Sequence, residues 1–83
     1  MDRRQLAAEI YDTSHLTGSC VLRAGATASE YFDKYLFESD PQLLRAIAEQ
    51  LLPLVPTDAE ALAGLELGGV PIATMLSQLS GLP

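Results

Sequence analysis

The residue types best suited to nucleophilic or metal chemistry occur once each in this sequence. His15 is the only histidine and Cys20 the only cysteine among 83 residues. A zinc site needs several such ligands, and a nucleophile needs a neighbouring base. We therefore expect no metal-binding site and no catalytic residue in this chain. The Cys20 thiol is expected to face the core, and His15 to interact with the last carbonyl groups of a preceding helix.

A cation and two aromatic rings form a first candidate binding site. Arg23 precedes a turn at Gly25, and Tyr31 and Phe32 follow on the returning segment. A guanidinium group can bind a carboxylate or phosphate through two hydrogen bonds, and a ring can stack on a planar heterocycle. Adjacent strand residues point to opposite faces, so only one of the two rings can stack on a ligand. Packing of the rings across strands is the alternative, and the more common arrangement.

A glycine-rich segment forms a second candidate site. The segment 64–71, GLELGGVP, lies between an apolar run and a predicted helix. Backbone N–H groups at such a turn lie beside the positive end of the helix dipole, which favours phosphate or diphosphate. The segment lacks the lysine and hydroxyl residue of a Walker loop and the spacing of a dinucleotide fingerprint. Anion binding and a purely geometric role of the glycines are equally supported by these residues alone.

Three predicted helices and three predicted strands must position these residues. Apolar spacing and capping residues predict helices at 2–12, 40–52 and 71–80. Aromatic, β-branched or uninterrupted apolar runs predict strands at 20–22, 31–37 and 61–65. The first two strands are expected to pair as an antiparallel ribbon. The third has no polar side chain, which is typical of a central parallel strand covered on both faces.

Composition limits the class of protein. Hydrophobic residues make up 48% of the chain and charged residues 19%, which is a globular composition. Eleven acidic residues against five basic ones give a net charge of −6, which argues against a nucleic-acid partner. No run approaches the roughly 20 apolar residues of a membrane span, and a single cysteine cannot form an intrachain disulfide. We therefore expect a cytoplasmic protein with no membrane partner.

The chain divides into two predicted regions. Residues 1–39 are expected to hold the first helix and the ribbon, and residues 40–83 a helix and one strand–loop–helix unit. A parallel strand needs a neighbouring strand, and this sequence offers no second parallel one. We therefore expect these residues to be the front part of a larger α/β protein. A small interaction domain, whose apolar helix faces bury against a partner, is the alternative.

Three strings in the sequence resemble those of one enzyme family. They are LRAG at 22–25, EYFDKYLFESDP at 30–41 and GLELGGVPIAT at 64–74. In this order, and from Leu6 to Pro83, the chain resembles the N-terminal part of bacterial orotate phosphoribosyltransferases. The two longer strings are far more specific than a pair of glycines.

The resemblance implies a type I phosphoribosyltransferase fold, in which a hood of a helix and a two-stranded antiparallel ribbon covers a parallel α/β core. It implies a transferase of pyrimidine biosynthesis that moves ribose 5-phosphate from phosphoribosyl pyrophosphate (PRPP) to N1 of orotate. The products would be orotidine 5′-monophosphate and pyrophosphate. Mg²⁺ would arrive bound to PRPP, with no protein ligand in this segment. Whole members of the family usually form homodimers.

The resemblance also assigns residues to the first candidate site. Arg23, Tyr31 and Phe32 correspond to the orotate side, with the two rings at the aromatic pair of the family. Most members carry a lysine in place of Arg23, so the positive charge is kept while the geometry of its hydrogen bonds changes.

In the second candidate site, Glu66, Leu67, Gly68 and Gly69 correspond to the pyrophosphate loop of the family. Many members have tyrosine and lysine at the positions of Leu67 and Gly68, so this chain lacks that side-chain cation. The backbone N–H groups of Gly68 and Gly69 are then expected to contact pyrophosphate. Lys34 is a candidate accessory cation, although a solvent-facing lysine on an edge strand is the favoured interpretation.

Two segments typical of the family do not occur in these residues. They are a hydrophobic strand that ends in two acids before a Thr/Gly-rich donor loop, and a mobile loop rich in Arg, Lys and His. The reaction develops positive charge on the ribose and negative charge on the leaving pyrophosphate, and both need preorganised groups. We therefore expect the 83 residues alone to be inactive. A phosphoribosyltransferase for another base is the remaining alternative within the family.

Overall fold

The structure, a computed structural model, describes residues 1–21 and 23–83. Leu22 of the LRAG string and the expected orientation of the Cys20 thiol lie outside the described part. The helices are α1 (Arg3–Ser14), α2 (Lys34–Glu38), α3 (Pro41–Leu51) and α4 (Val70–Ser80), with a 3₁₀ turn at Leu52–Leu54. The strands are β1 (His15–Val21) and β2 (Thr27–Phe32). Among the described residues, no helix has the length and apolar character that crossing a membrane requires.

Helix α1 begins at a reciprocal cap and ends directly in the ribbon. The Asp2 carboxylate accepts a hydrogen bond from Gln5 N–H at 2.8 Å, and the Gln5 side chain accepts one from Asp2 N–H at 3.1 Å. This capping box satisfies two N–H groups at the start of the helix. At the other end, Ser14 is fully buried and its carbonyl accepts a hydrogen bond from Asp33 N–H at 2.9 Å. The end of α1 is therefore joined to the end of β2.

Strands β1 and β2 pair antiparallel, with His15 opposite Phe32 and Val21 opposite Thr27. The register shifts between Thr17 and Cys20, where Gly18 has a φ of 133°. Glycine adopts such a φ without steric cost, so the irregularity lies where the sequence permits it. The predicted antiparallel ribbon is confirmed, although β1 begins at His15 and so before the predicted strand 20–22.

The predicted strand 31–37 is wrong beyond Phe32. The Asp33 side chain accepts a hydrogen bond from Tyr35 N–H at 3.0 Å and caps the short helix α2. A capping aspartate satisfies an N–H group that the helix start leaves unpaired, and here it outweighs the strand preference of the aromatic residues that follow. Lys34 therefore lies on a helix, and not on the edge strand that we expected.

Helix α3 packs against α1, α2 and α4. The Asp40 carboxylate accepts hydrogen bonds from Gln42 and Leu43 N–H at 3.0 and 3.1 Å, and Pro41 lies in the first turn, as the sequence predicts. The core is small. In the described ranges, its buried hydrophobic residues are Leu6, Leu43 and Ala48.

The predicted central strand 61–65 does not form. Within the described chain, its N–H groups make one backbone hydrogen bond, from Leu62 to the Pro83 carbonyl at 2.8 Å. A strand is stable only where a neighbouring strand pairs with its backbone, and none of the described segments does so here. Leu65 is consequently 88% exposed, as expected of an apolar segment that has no pairing strand among the described residues.

Candidate functional site

The loop 65–69 joins this unpaired segment to the start of α4. Gly69 N–H donates to the Leu65 carbonyl at 2.8 Å, and Val70 N–H donates to the Leu67 carbonyl at 3.1 Å. The Glu66–Leu67 peptide bond is cis. Gly69 occupies the cap position of α4 and has no side chain that could accept hydrogen bonds from the first turn. Since Val70 N–H is paired within the loop and Pro71 has no N–H group, the donors beside the helix start come mainly from the loop.

Gly64, which directly precedes the loop, and Gly69, which ends it, are glycines because the two ends of this segment approach each other closely. A Cβ atom at Gly64 would overlap the Gly69 carbonyl, and a Cβ atom at Gly69 would lie 2.7 Å from Leu65 N. Neither glycine has a positive φ. Lack of space, and not backbone conformation, therefore excludes a side chain at both positions.

Unpaired backbone donors lie between these two glycines. Within the described residues, the N–H groups of Leu67 and Gly68 have no hydrogen-bond partner, whereas the N–H group of Gly69 is engaged by Leu65. Glu66 and Leu67 are both exposed, and the exposed fraction of Leu67 is 67%. Unpaired N–H groups at a helix start are suited to bind an oxyanion. We expected the N–H groups of Gly68 and Gly69 to contact pyrophosphate. Of these two, the N–H group of Gly68 is available for such a contact.

The ammonium group of Lys34 contacts the carbonyl group of Gly68 in the same loop. This ammonium group donates to the Glu38 carboxylate at 2.7 Å and also to the Gly68 carbonyl. The Lys34 side chain is 41% exposed, whereas the Glu38 side chain is 3% exposed. Lys34 also lines a cavity of about 410 Å³ together with Gly64, Gly68 and the inner face of α4. The cation that sequence reasoning placed on an edge strand therefore contacts the glycine loop.

Glu38 is the residue of this charged pair that the sequence did not point to. It lies four residues after Lys34, the spacing at which opposite charges meet on one helix face. That spacing indicates an ion pair only if 34–38 is helical. The aromatic residues predicted a strand at 31–37, and in a strand residues four positions apart do not form such a pair. The spacing of Lys34 and Glu38 therefore did not predict their contact.

The structure places Arg23, Tyr31 and Phe32 on the ribbon. Arg23 is exposed in the turn between the strands. Phe32 contacts Tyr11 with ring centroids 6.4 Å apart and is 46% exposed, and Tyr31, which points to the other face of the strand, is 44% exposed. In the described chain, none of the three lines the cavity beside Lys34. Exposure does not separate the two rings, but Phe32 is engaged by Tyr11, whereas Tyr31 has no aromatic contact among the described residues. Tyr31 is therefore the ring left free to stack on a planar ligand.

His15 makes contacts different from those expected for its ring. Its backbone N–H donates to the Tyr11 carbonyl at the end of α1, while its imidazole stacks on the Tyr11 ring with centroids 4.4 Å apart. The imidazole Nε2 lies 3.8 Å from a carboxylate oxygen of Glu30. The ring thus belongs to an aromatic cluster that supports the ribbon. The described residues contain no group of three His, Cys, Asp or Glu side chains that could hold a metal ion.

Sequence comparison finds relatives that share one name. The orotate phosphoribosyltransferase of a Nocardioides species is 58% identical over 78 residues, covering 94% of this chain and 44% of the relative. That of Methanopyrus kandleri is 37% identical over 84 residues, covering 100% of this chain and 45% of the relative. No protein-family model matches the chain. The chain spans less than half the length of these curated relatives.

Solved structures of the same family share the fold. The orotate phosphoribosyltransferase of Mycobacterium tuberculosis, in complex with Fe(III) dicitrate, has a TM-score of 0.81 at 26% identity, covering 100% of this chain and 48% of that one. That of Aeropyrum pernix has a TM-score of 0.69 at 29% identity, covering 94% and 49%. The likeness confirms the predicted class, the N-terminal region of a type I phosphoribosyltransferase with a helix and an antiparallel ribbon, although the core strand predicted at 61–65 is not formed. In both sequence and fold, the chain belongs to the orotate phosphoribosyltransferase family.

Proposed function

We propose that this chain supplies the pyrophosphate loop and the base-side ribbon of an enzyme that transfers ribose 5-phosphate from PRPP to N1 of orotate. In this reaction the bond from C1′ to the pyrophosphate oxygen breaks, a C1′–N1 bond forms, and the N1 proton of orotate passes to the leaving pyrophosphate or to solvent. The products are orotidine 5′-monophosphate and pyrophosphate. The observation that carries the proposal is the loop 65–69, where the N–H groups of Leu67 and Gly68 have no partner among the described residues and adjoin the start of α4. The names of the relatives support the choice of substrate.

The loop is proposed to hold the leaving pyrophosphate. Negative charge develops on the departing oxygen as the C1′–O bond breaks, and donors that are already oriented stabilise it without reorganising. We assign this role first to the N–H groups of Gly68 and Leu67, because Gly69 N–H is already bound to Leu65. Mg²⁺ would enter as part of the PRPP complex and neutralise part of the diphosphate charge. We assign it no protein ligand among these residues.

The ribbon is proposed to contact the base. A planar pyrimidine can stack on the exposed ring of Tyr31, and the permanent charge of Arg23 suits the carboxylate of orotate. Phe32 would act mainly by holding the ribbon, since its ring packs against Tyr11. A cytoplasmic location and a homodimeric whole enzyme are parts of the same proposal.

A chimaeric enzyme tests this proposal. The chain replaces the matching 78-residue region of the Nocardioides relative, and product formation from PRPP, Mg²⁺ and one base at a time is measured. We expect turnover with orotate and none with uracil, adenine or hypoxanthine, and we expect the 83 residues alone to give no product. Turnover with another base but not orotate would indicate a different specificity. A folded chimaera without any turnover would contradict the proposal.

A further inference from the structure

We propose that Lys34 is a positioning residue for the loop 65–69. It acts through the carbonyl group of Gly68, and Glu38 anchors its ammonium group. The effect on pyrophosphate binding rests on the proposed function, whereas the positioning of the loop does not.

The peptide group between Gly68 and Gly69 is held from both sides. Its carbonyl oxygen accepts a hydrogen bond from Lys34, and its N–H donates to the Leu65 carbonyl at 2.8 Å. In a trans peptide these two groups point in opposite directions, so the two contacts fix the plane. Fixing this plane restricts the preceding peptide, which carries the unpaired N–H of Gly68. Lys34 therefore limits the orientation of this donor without touching it.

Glu38 keeps the ammonium group in place. The ammonium nitrogen of Lys34 lies 2.7 Å from Oε1 of a carboxylate whose side chain is 3% exposed. The second oxygen, Oε2, is buried and has no hydrogen-bond partner among the described residues. A buried carboxylate is strongly disfavoured unless a cation pairs with it. Separation of the pair would be costly, so the position of the Lys34 ammonium group is well defined.

Glycine at position 68 fits this arrangement. A Cβ atom there would lie 3.2 Å from the ammonium nitrogen of Lys34, which is too close for an undisturbed contact. Gly68 does not have a positive φ, so the backbone itself would accept alanine. Alanine at this position would require the ammonium group to shift by a few tenths of an ångström, so glycine favours the close approach of the lysine. Since α2 directly follows β2, the contact also connects the ribbon to the loop.

Amide hydrogen exchange in the chain without ligand tests the positioning directly. In Lys34→Met we expect Gly69 N–H to exchange about tenfold faster or more, the factor that corresponds to losing one hydrogen bond to a charged group. Amides of α3 should keep their protection. Lys34→Arg, which retains the charge, should restore part of the protection. Arg45→Met is the matched control, because Arg45 pairs with Glu49 at the same spacing on an exposed helix face, 3.6 Å apart.

Gly68→Ala is a second variant that leaves the charged pair chemically intact. The added methyl group should displace the ammonium group and speed exchange at Gly69, but should add little in the Lys34→Met background. Such non-additivity is expected of residues in direct contact. Additive effects, or unchanged exchange at Gly69 in Lys34→Met, would overturn the proposal.

Titration with inorganic pyrophosphate separates this inference from the proposed function. We expect the Kd to rise severalfold in Lys34→Met and to stay unchanged in Arg45→Met. If the unmodified chain binds no pyrophosphate, the proposed function fails, while the exchange data still decide the positioning. Weaker binding in Lys34→Met without faster exchange in the unliganded chain would make Lys34 a direct ligand, and would overturn the positioning role.

Discussion

At the scale of single residues, different close contacts favour glycine at the positions in and next to the loop. Gly64 and Gly69 allow the loop ends to approach each other, and Gly68 allows Lys34 to approach its carbonyl. The sequence could predict the loop, because a glycine pair followed by proline marks a turn before a helix. It could not predict the reason at Gly68, because that depends on a residue 34 positions away.

We expect alanine to lower the free energy of unfolding by different amounts at Gly64 and at Gly68. Gly64→Ala places a methyl group against the Gly69 carbonyl, and we expect it to lower the free energy of unfolding by about 1–3 kcal/mol. Gly68→Ala should cost less, because its methyl group would lie 3.2 Å from the Lys34 ammonium nitrogen, which need shift by only a few tenths of an ångström. Urea unfolding of both variants measures the difference. A larger loss in Gly68→Ala would contradict this account of the loop.

The two ring residues of β2 are also expected to differ. In the chimaera, Tyr31→Leu should raise the KM for orotate by about 3- to 10-fold, the value of one aromatic stacking contact. Phe32→Leu should mainly lower the melting temperature, because its ring packs against Tyr11. Steady-state kinetics and thermal melting of both variants test the assignment. If Phe32→Leu alone affects the KM, then the rings have been assigned the wrong way round.

At the scale of elements, predictions succeeded where a local signal determined the structure. Asp40 followed by proline predicted the start of α3, and its carboxylate makes the expected capping hydrogen bonds. The segment 31–37 failed because one capping residue, Asp33, outweighs several aromatic residues. The segment 61–65 failed for another reason, since its character as a strand depends on pairing with a neighbour and not on its own residues.

The aspartate caps can be tested against an aspartate that caps nothing. Asp40→Ala leaves the N–H groups of Gln42 and Leu43 without their acceptor, so we expect a loss of about 1 kcal/mol in the free energy of unfolding. Asp12→Ala, at an exposed position within α1, should change it by less than about 0.5 kcal/mol. Equal effects in the two variants, measured by urea unfolding, would argue against capping as the determinant of α3.

At the scale of the whole molecule, the chain has a small core and a large exposed apolar surface. Leu65 is 88% exposed and Leu67 67% exposed, next to the loop proposed to bind pyrophosphate. The sequence could predict that the apolar segment 61–65 is unpaired, because it offers no second parallel strand. The relatives of this chain are more than twice as long as the region that they share with it. The net charge of −6 repels anions in general. Binding of an anion at the loop would therefore reflect local donors and not overall charge.

The most direct test of the central claim is to map the backbone amide shifts of the 83-residue chain during titration with inorganic pyrophosphate. Sulfate at equal ionic strength serves as the control for salt effects. We expect saturable shifts that are largest at Leu67, Gly68 and the first turn of α4, and no comparable response to sulfate. A folded chain whose loop amides do not respond, or that responds equally to sulfate, would contradict the claim that this loop binds pyrophosphate.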